Sequence, residues 1–347
     1  MALPNSKQQM ELTAQDIAII GVAFELPNAQ TLEQLDYLLS NGIDCVQTIP
    51  WNRLQDIQDT QFYQRSDLIP AAYLDKIDAF DYPFFGISPN EAKLIDPAQR
   101  LYLQVVCRCI QDAGYSLSSF KSCLTGVYTG YSMESEYKRY LEKISTSSSP
   151  LSIPGNITSV LSGRISHFLD LKGPSLVINT ACSSSLTAVH IACRDLNSGE
   201  CDTAIVGGVR INVFPYIKDR LGIESHDGKT RVFDQNTTGM GGGEGVIAIL
   251  LKPAKKAIAC RDHIYAVIKG SAYNQDGATM SISTPSAAAQ TQCILNAWTR
   301  AKVNPETITY IEMHGTGTHL GDYIEVCGLT KAFDTQTKKR QFCAVGS

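Results

Sequence analysis

The chain alternates short apolar, β-branched runs with longer stretches in which apolar residues recur every three or four positions. Residues 16–21 form an apolar run closed by Gly21, which predicts a buried strand. The same reading predicts strands at residues 125–130, 175–179, 204–209, 245–251, 264–269 and 309–312. Helical spacing appears at residues 32–39, 134–144 and 291–301, and in the stretch that runs on from Cys182 to Leu196. The strongest helical pattern covers residues 89–114. It has Ser88-Pro89 at its start, apolar spacing through Leu101, Val105 and Ile110, and Gly114 as its stop. Residues 50–75 are polar with scattered aromatics and predict a surface excursion, and the serines of 145–149 predict a loop. Strands alternating with helices imply an α/β layered fold.

With 347 residues there is room for one large layered domain or two smaller ones. The net charge of −4 provides no broad positive surface for nucleic acid or an anionic membrane. Lys338-Lys339-Arg340 is the one basic run and predicts a solvated loop. Eleven cysteines include no Cys-x-x-Cys, and Cys107 and Cys109 sit two apart on a helical pattern, where side chains face away from each other. No metal site is therefore expected. Residues 1–15 are polar, lack the apolar centre of a signal peptide, and predict a tail or docking segment. The longest apolar run, residues 246–251, is too short to cross a bilayer. A reducing cytoplasm with mostly buried, free thiols is the expected setting.

Cys182 departs from that pattern. It sits where an apolar strand runs into Thr180-Ala181-Cys182-Ser183-Ser184-Ser185-Leu186 and then into a helix. Small neighbours permit a sharp turn that lifts a nucleophile to a helix start. There the macrodipole and free N–H groups stabilise a thiolate and can hold an oxyanion. About 130 residues on, His314-Gly315-Thr316-Gly317-Thr318 closes a strand and offers a ring on a loop; alone it reads as a structural histidine, but with Cys182 it begins to resemble a Cys–His constellation. Asp322 and Glu325, three apart on the following helix, either organise this site or cap the helix start. The glycine run 239–245 lacks the spacing of a phosphate loop and predicts a tight turn near the site. Neither a papain-type context around a cysteine nor a Gly-x-Ser-x-Gly elbow is present.

Six ordered blocks carry a resemblance: residues 86–92 (GISPNEA), 96–101 (DPAQRL), 173–175 (GPS), 180–186 (TACSSSL), 274–277 (NQDG) and 314–318 (HGTGT). Together they resemble the β-ketoacyl synthase (ketosynthase) family of modular type I polyketide synthases, from about Asp16 to Ser347. The glycine run resembles ketosynthases of assembly lines whose acyltransferase acts in trans. The resemblance implies a thiolase fold, a five-layered αβαβα sandwich of two related halves: residues 16–258 as the first half and 259–347 as a partial second half. It implies a homodimer joined across a strand edge.

It further implies that Cys182 accepts the acyl chain and that His314 is the first of two active-site histidines. Thr316 and Thr318 would lie near a pantetheine arm, with Asp322 and Glu325 as supporting polar residues behind it. No cofactor would be bound; acyl carrier protein would deliver a phosphopantetheine arm bearing acyl or malonyl thioesters, alongside other polyketide synthase domains. The implied activity is decarboxylative condensation through an acyl-Cys182 thioester, as in polyketide and fatty-acid-like synthesis. The family continues past the Gly346-Ser347 position to a lysine and a second histidine, whereas this sequence stops there. The second half is thus expected to be truncated, with an exposed apolar edge, and condensation to lack one enolate donor, a loss of about 10²–10³ in rate. The alternative is a non-elongating or inactive ketosynthase that only accepts and transfers acyl groups or binds carrier protein. Asn179 stands where the family has aspartate and Tyr323 where it has proline.

Overall fold

The computed structural model describes residues 12–57, 67–132, 136–144, 150, 152–218 and 223–347. The first elements are β1 (Ile17–Glu25), α1 (Leu32–Ser40), α2 (Trp51–Ile57), α3 (Pro89–Ala92) and α4 (Pro97–Asp112). After these come β2 (Thr125–Gly130), α5 (Glu136–Ile144), α6 (Ser152–Asn156), α7 (Val160–Leu169), β3 (Ser175–Ile178), α8 (Ser184–Ser198), β4 (Thr203–Arg210), β5 (Gly245–Pro253) and α9 (Ala254–Cys260). The last part holds β6 (Ala266–Ile268), α10 (Ala287–Ala301), β7 (Tyr310–Glu312), α11 (His319–Asp334) and β8 (Ala344–Gly346).

A six-stranded sheet in the order β3-β2-β4-β5-β1-β6 is the centre of the molecule. β2 pairs parallel with both β3 and β4, and the remaining pairs are antiparallel. β2 is buried along its whole length and β1 on both faces at its start, as near-continuous apolar runs require. α4 and α7 cover one face, where Leu101, Val105, Ile110, Ile165 and Val127 share a core. α8 covers the other, packing Ala188, Ala192 and Leu196 against Tyr128, Val206 and Leu251. β7 and β8 form a separate parallel pair, with Tyr310 and Val345 exposed.

Two expectations need correction. The helix predicted over residues 89–114 is two helices, because Asp96-Pro97 breaks it. A residue before proline is driven out of the helical region, and Asp96 takes φ −53°, ψ 132° while its carboxylate caps α4 by accepting from the Ala98 amide. The excursion over residues 50–75 is not merely surface. It contains α2 and buries Leu54, Ile69, Ala71 and Tyr73 against Tyr216. Residues 1–11, 58–66 and the serine-rich 145–149 lie outside the described residues. The basic run at 338–340 is exposed, but Lys339 pairs with Glu306 and Arg340 with Asp334. β6 pairs with β1 in the first sheet, tying the second part of the chain to the first.

Candidate active site

Strand β3 ends at Ile178, and the next five residues turn the chain into α8. Asn179 begins the turn by accepting, through its side-chain oxygen, from the Ala181 amide at 3.1 Å. Ala181 has φ +55°, in the left-handed region that an L-residue seldom occupies. Residues Ala181–Ser183 form one 3₁₀ turn, and α8 starts at Ser184. Hydroxyls hold this geometry. Ser184 Oγ donates to the Ala181 carbonyl at 2.6 Å and accepts from the Thr180 amide at 2.9 Å, while Ser183 Oγ donates to the Thr180 carbonyl at 2.8 Å. Small hydroxyl residues suit this turn because each ties side chain to backbone within four residues. Asn179 supplies the same acceptor that an aspartate would.

The turn leaves Cys182 exposed, as a free thiol ahead of an uncapped helix start. Ser183 makes no side-chain capping bond, and the Ser184 amide donates to the Ala181 carbonyl within the turn. The helix can approach the sheet only because Gly130 is there: a Cβ on it would lie 2.5 Å from the Ser185 amide nitrogen. Cys182 lines a groove of about 810 Å³ together with Leu186, Val189, Val206, Ile247 and Ile249. Arg210 is the one charged residue in that lining among the described residues. Beside it, burial, with Asp96 and Glu136 adding, pushes the Tyr131 phenol above its usual range, and Arg210 pulls the other way.

The loop from His314 to Thr318 is held by the acids predicted to support it. Glu325 accepts from the amides of His314 and Gly315, at 2.6 and 3.0 Å. Buried Asp322 accepts from the Gly317 amide at 3.1 Å and from the Phe233 amide at 2.8 Å. Of the two readings left open by the sequence, organising the loop is the one the contacts match. Thr316 and Thr318 hydroxyls meet at 2.8 Å, and His314 is exposed. The glycine run packs here too, since a Cβ on Gly317 would meet the Gly239 carbonyl at 3.0 Å, and Thr237 donates to the Gly317 carbonyl.

The structure therefore assembles His314, Thr316, Thr318, Asp322 and Glu325 as one unit and Cys182 as another. No hydrogen bond joins the two among the described residues, and His314 is outside the groove lining given above. Sequence reasoning missed Arg210, Thr237 and a buried pair, Arg53–Glu244. Glu244 sits inside the glycine run and was the available signal; a lone arginine 191 residues away offered none. No group of three His, Cys, Asp or Glu is placed to hold a metal ion, and no helix is long and apolar enough to cross a membrane, among the described residues.

Comparison with known proteins gives a consistent picture. Residues 14–257 match the family description "Beta-ketoacyl synthase, N-terminal domain" and residues 265–347 match "Beta-ketoacyl synthase, C-terminal domain". Polyketide synthase PksL of Bacillus subtilis is 40% identical over 358 residues, which cover 98% of this chain and 8% of that protein. Polyketide synthase ThaG of Burkholderia thailandensis is 39% identical, covering 96% of this chain and 6% of that protein. The chain thus spans less than a tenth of these relatives' length. Among solved structures, the ketosynthase from module 6 of the bacillaene synthase of Bacillus subtilis superposes with a TM-score of 0.85 at 38% identity, covering 95% of this chain and 56% of that one. Ketosynthase twelve from the bacillaene polyketide synthase of Bacillus amyloliquefaciens gives 0.85 at 33% identity, covering 96% and 60%.

Proposed function

The chain belongs to the β-ketoacyl synthase family and has the thiolase fold of its ketosynthase relatives, and on that premise we propose that it is an acyl-transferring ketosynthase of polyketide biosynthesis with Cys182 as nucleophile. The observation that carries this reading is an exposed Cys182 on a strained turn at an uncapped helix start, opening on an apolar groove.

In the first step the Cys182 thiolate attacks the carbonyl carbon of an acyl thioester on the phosphopantetheine arm of an acyl carrier protein. A new S–C bond forms, the oxyanion is held by a backbone amide at the turn, and the bond to the pantetheine sulfur breaks, that thiolate leaving with a proton from solvent. In the second step a malonyl thioester loses CO₂. The resulting enolate carbon attacks the Cys182 thioester, a C–C bond forms, and the Cys182 thiolate departs. His314 would donate to the enolate oxygen; Thr316 and Thr318 would contact the arm; Asp322 and Glu325 position their loop. The groove's aliphatic lining suits an acyl chain. The only cofactor in this scheme is the arm that the carrier protein brings. Two copies would pair across the free edge of β3, where Leu176 is exposed.

Peptide mass spectrometry after incubation with butyryl-pantetheine tests the reading. Butyryl mass on the Cys182 peptide, lost in Cys182→Ala, is expected. A soluble chain that takes up no acyl group at Cys182 would overturn the proposal.

A further inference from the structure

Alternation along β4 puts Val206, Gly208 and Arg210 on one face of the sheet. That face is the one covered by α8, since a Cβ on Gly208 would meet Ser185 Cβ at 3.1 Å. The paired residues of β5 on the same face are Ile249, Ile247 and Gly245, opposite Val206, Gly208 and Arg210 in turn. An aliphatic floor thus runs from beneath α8 to the end of β4, where a guanidinium stands across from a glycine that leaves it room.

The guanidinium is held from one side only. Arg210 Nε donates to Tyr216 Oη at 3.1 Å, its central carbon lies 5.7 Å from the Tyr216 ring centroid, and Tyr216 Oη in turn donates to the Gly243 carbonyl at 3.0 Å. Among the described residues, neither Nη of Arg210 has a hydrogen bond or an ion pair, and no acid lines the groove. Bound and oriented at Nε, with a fork open at the other end, the side chain has the form that recognises a planar anion through two parallel N–H···O bonds.

We propose that Arg210 is a specificity-determining residue that selects thioesters bearing a free carboxylate. This rests on the reading of Cys182 as the acyl acceptor. The carboxylate has two possible sources, the far end of an acyl chain loaded on Cys182 or the malonyl extender.

The experiment compares rates of Cys182 acylation by succinyl-, glutaryl- and adipyl-pantetheine with those by butyryl-, pentanoyl- and hexanoyl-pantetheine. Arg210 should favour the carboxylated partner at one or more lengths. In Arg210→Gln and Arg210→Met that carboxylate-to-alkyl ratio should fall about tenfold or more, the range for a hydrogen bond to a charged group. Arg210→Lys should recover part of it, because it restores charge without the fork. Malonyl-pantetheine, used as a competitor of butyryl loading, separates the sources. A tenfold rise in its half-inhibitory concentration in Arg210→Gln, with unchanged loading ratios, assigns the carboxylate to the extender. If the variants do not fold, salt decides: in the unsubstituted chain a carboxylate preference resting on Arg210 shrinks as NaCl rises, and one that is insensitive to salt overturns the assignment. Butyryl loading with no carboxylate preference and no malonyl effect overturns the Arg210 assignment alone. No acylation by any thioester overturns the reading of Cys182 and the assignment with it.

Discussion

Ala181 holds a left-handed backbone conformation whose cost for an L-residue is about 1–2 kcal/mol. It persists because Asn179 and the hydroxyls of Ser183 and Ser184 fix the peptides on both sides of it. Ala181→Gly relieves the strain but adds backbone freedom to the unfolded chain, worth about 0.5–1 kcal/mol. A net stabilisation of less than about 1 kcal/mol is expected in denaturant unfolding. Asn179→Ala, which removes the acceptor for the Ala181 amide, should instead slow acylation of Cys182 while lowering stability by about 1 kcal/mol. Gly130 is constrained by space rather than by its own dihedrals. A methyl there would sit 2.5 Å from the Ser185 nitrogen and 2.7 Å from its Cα. Gly130→Ala must push the start of α8 away from the sheet, at about 1–3 kcal/mol. Thermal unfolding and Cys182 acylation should both decline. An unchanged acylation rate would mean that the helix start can shift without moving the thiol out of position.

Among the elements, two ion pairs join residues 191 and 253 positions apart. Arg53 of α2 pairs with Glu244 through both guanidinium nitrogens, at 2.6 and 2.8 Å, with both side chains almost fully buried. Glu244 also accepts from the amides of Leu74 and Asn212, and Arg53 donates to the carbonyls of the same two residues. Removing one partner strands the other in the interior, so Glu244→Gln should cost about 3–5 kcal/mol by urea unfolding. The double variant Arg53→Met/Glu244→Leu should recover much of that loss.

Asp16, at the entrance to β1, pairs with Lys269 just beyond β6. Burial opposes ionisation of Asp16, but hydrogen bonds from Lys269 and Thr13 outweigh it and hold its pKa below 3.8. A depressed carboxyl pKa stabilises the fold above the unfolded value, and that contribution is lost as pH falls through the folded one. The stability gap between the parent chain and Asp16→Asn should therefore be full at pH 7 and close as pH drops below about 3.8, as read by unfolding at each pH. A gap that stays constant with pH would show that the pair contributes nothing through charge. The same scale explains the broken helix at 93–96: apolar periodicity runs through it, and only the rule for residues preceding proline marks the interruption.

For the whole molecule, the proposed pairing uses the open edge of β3. Light scattering should give the mass of a dimer, and Leu176→Lys, placed on that edge, should shift it toward monomer; a monomeric parent chain would remove the proposed pairing. The sequence alone determined the strand–turn–helix around Cys182, the loop from His314 to Thr318, most strand positions and membership of the family. These rest on periodicity, turn chemistry and short motifs, all contained within windows of a dozen residues. Only the tertiary structure decided that β6 completes the first sheet, that Arg53 meets Glu244, that no hydrogen bond joins the Cys182 and His314 units among the described residues, and that Arg210 faces the groove. Each depends on strand register or on contacts across tens to hundreds of residues. A one-residue shift in register would turn Arg210 to the opposite face without changing any local pattern.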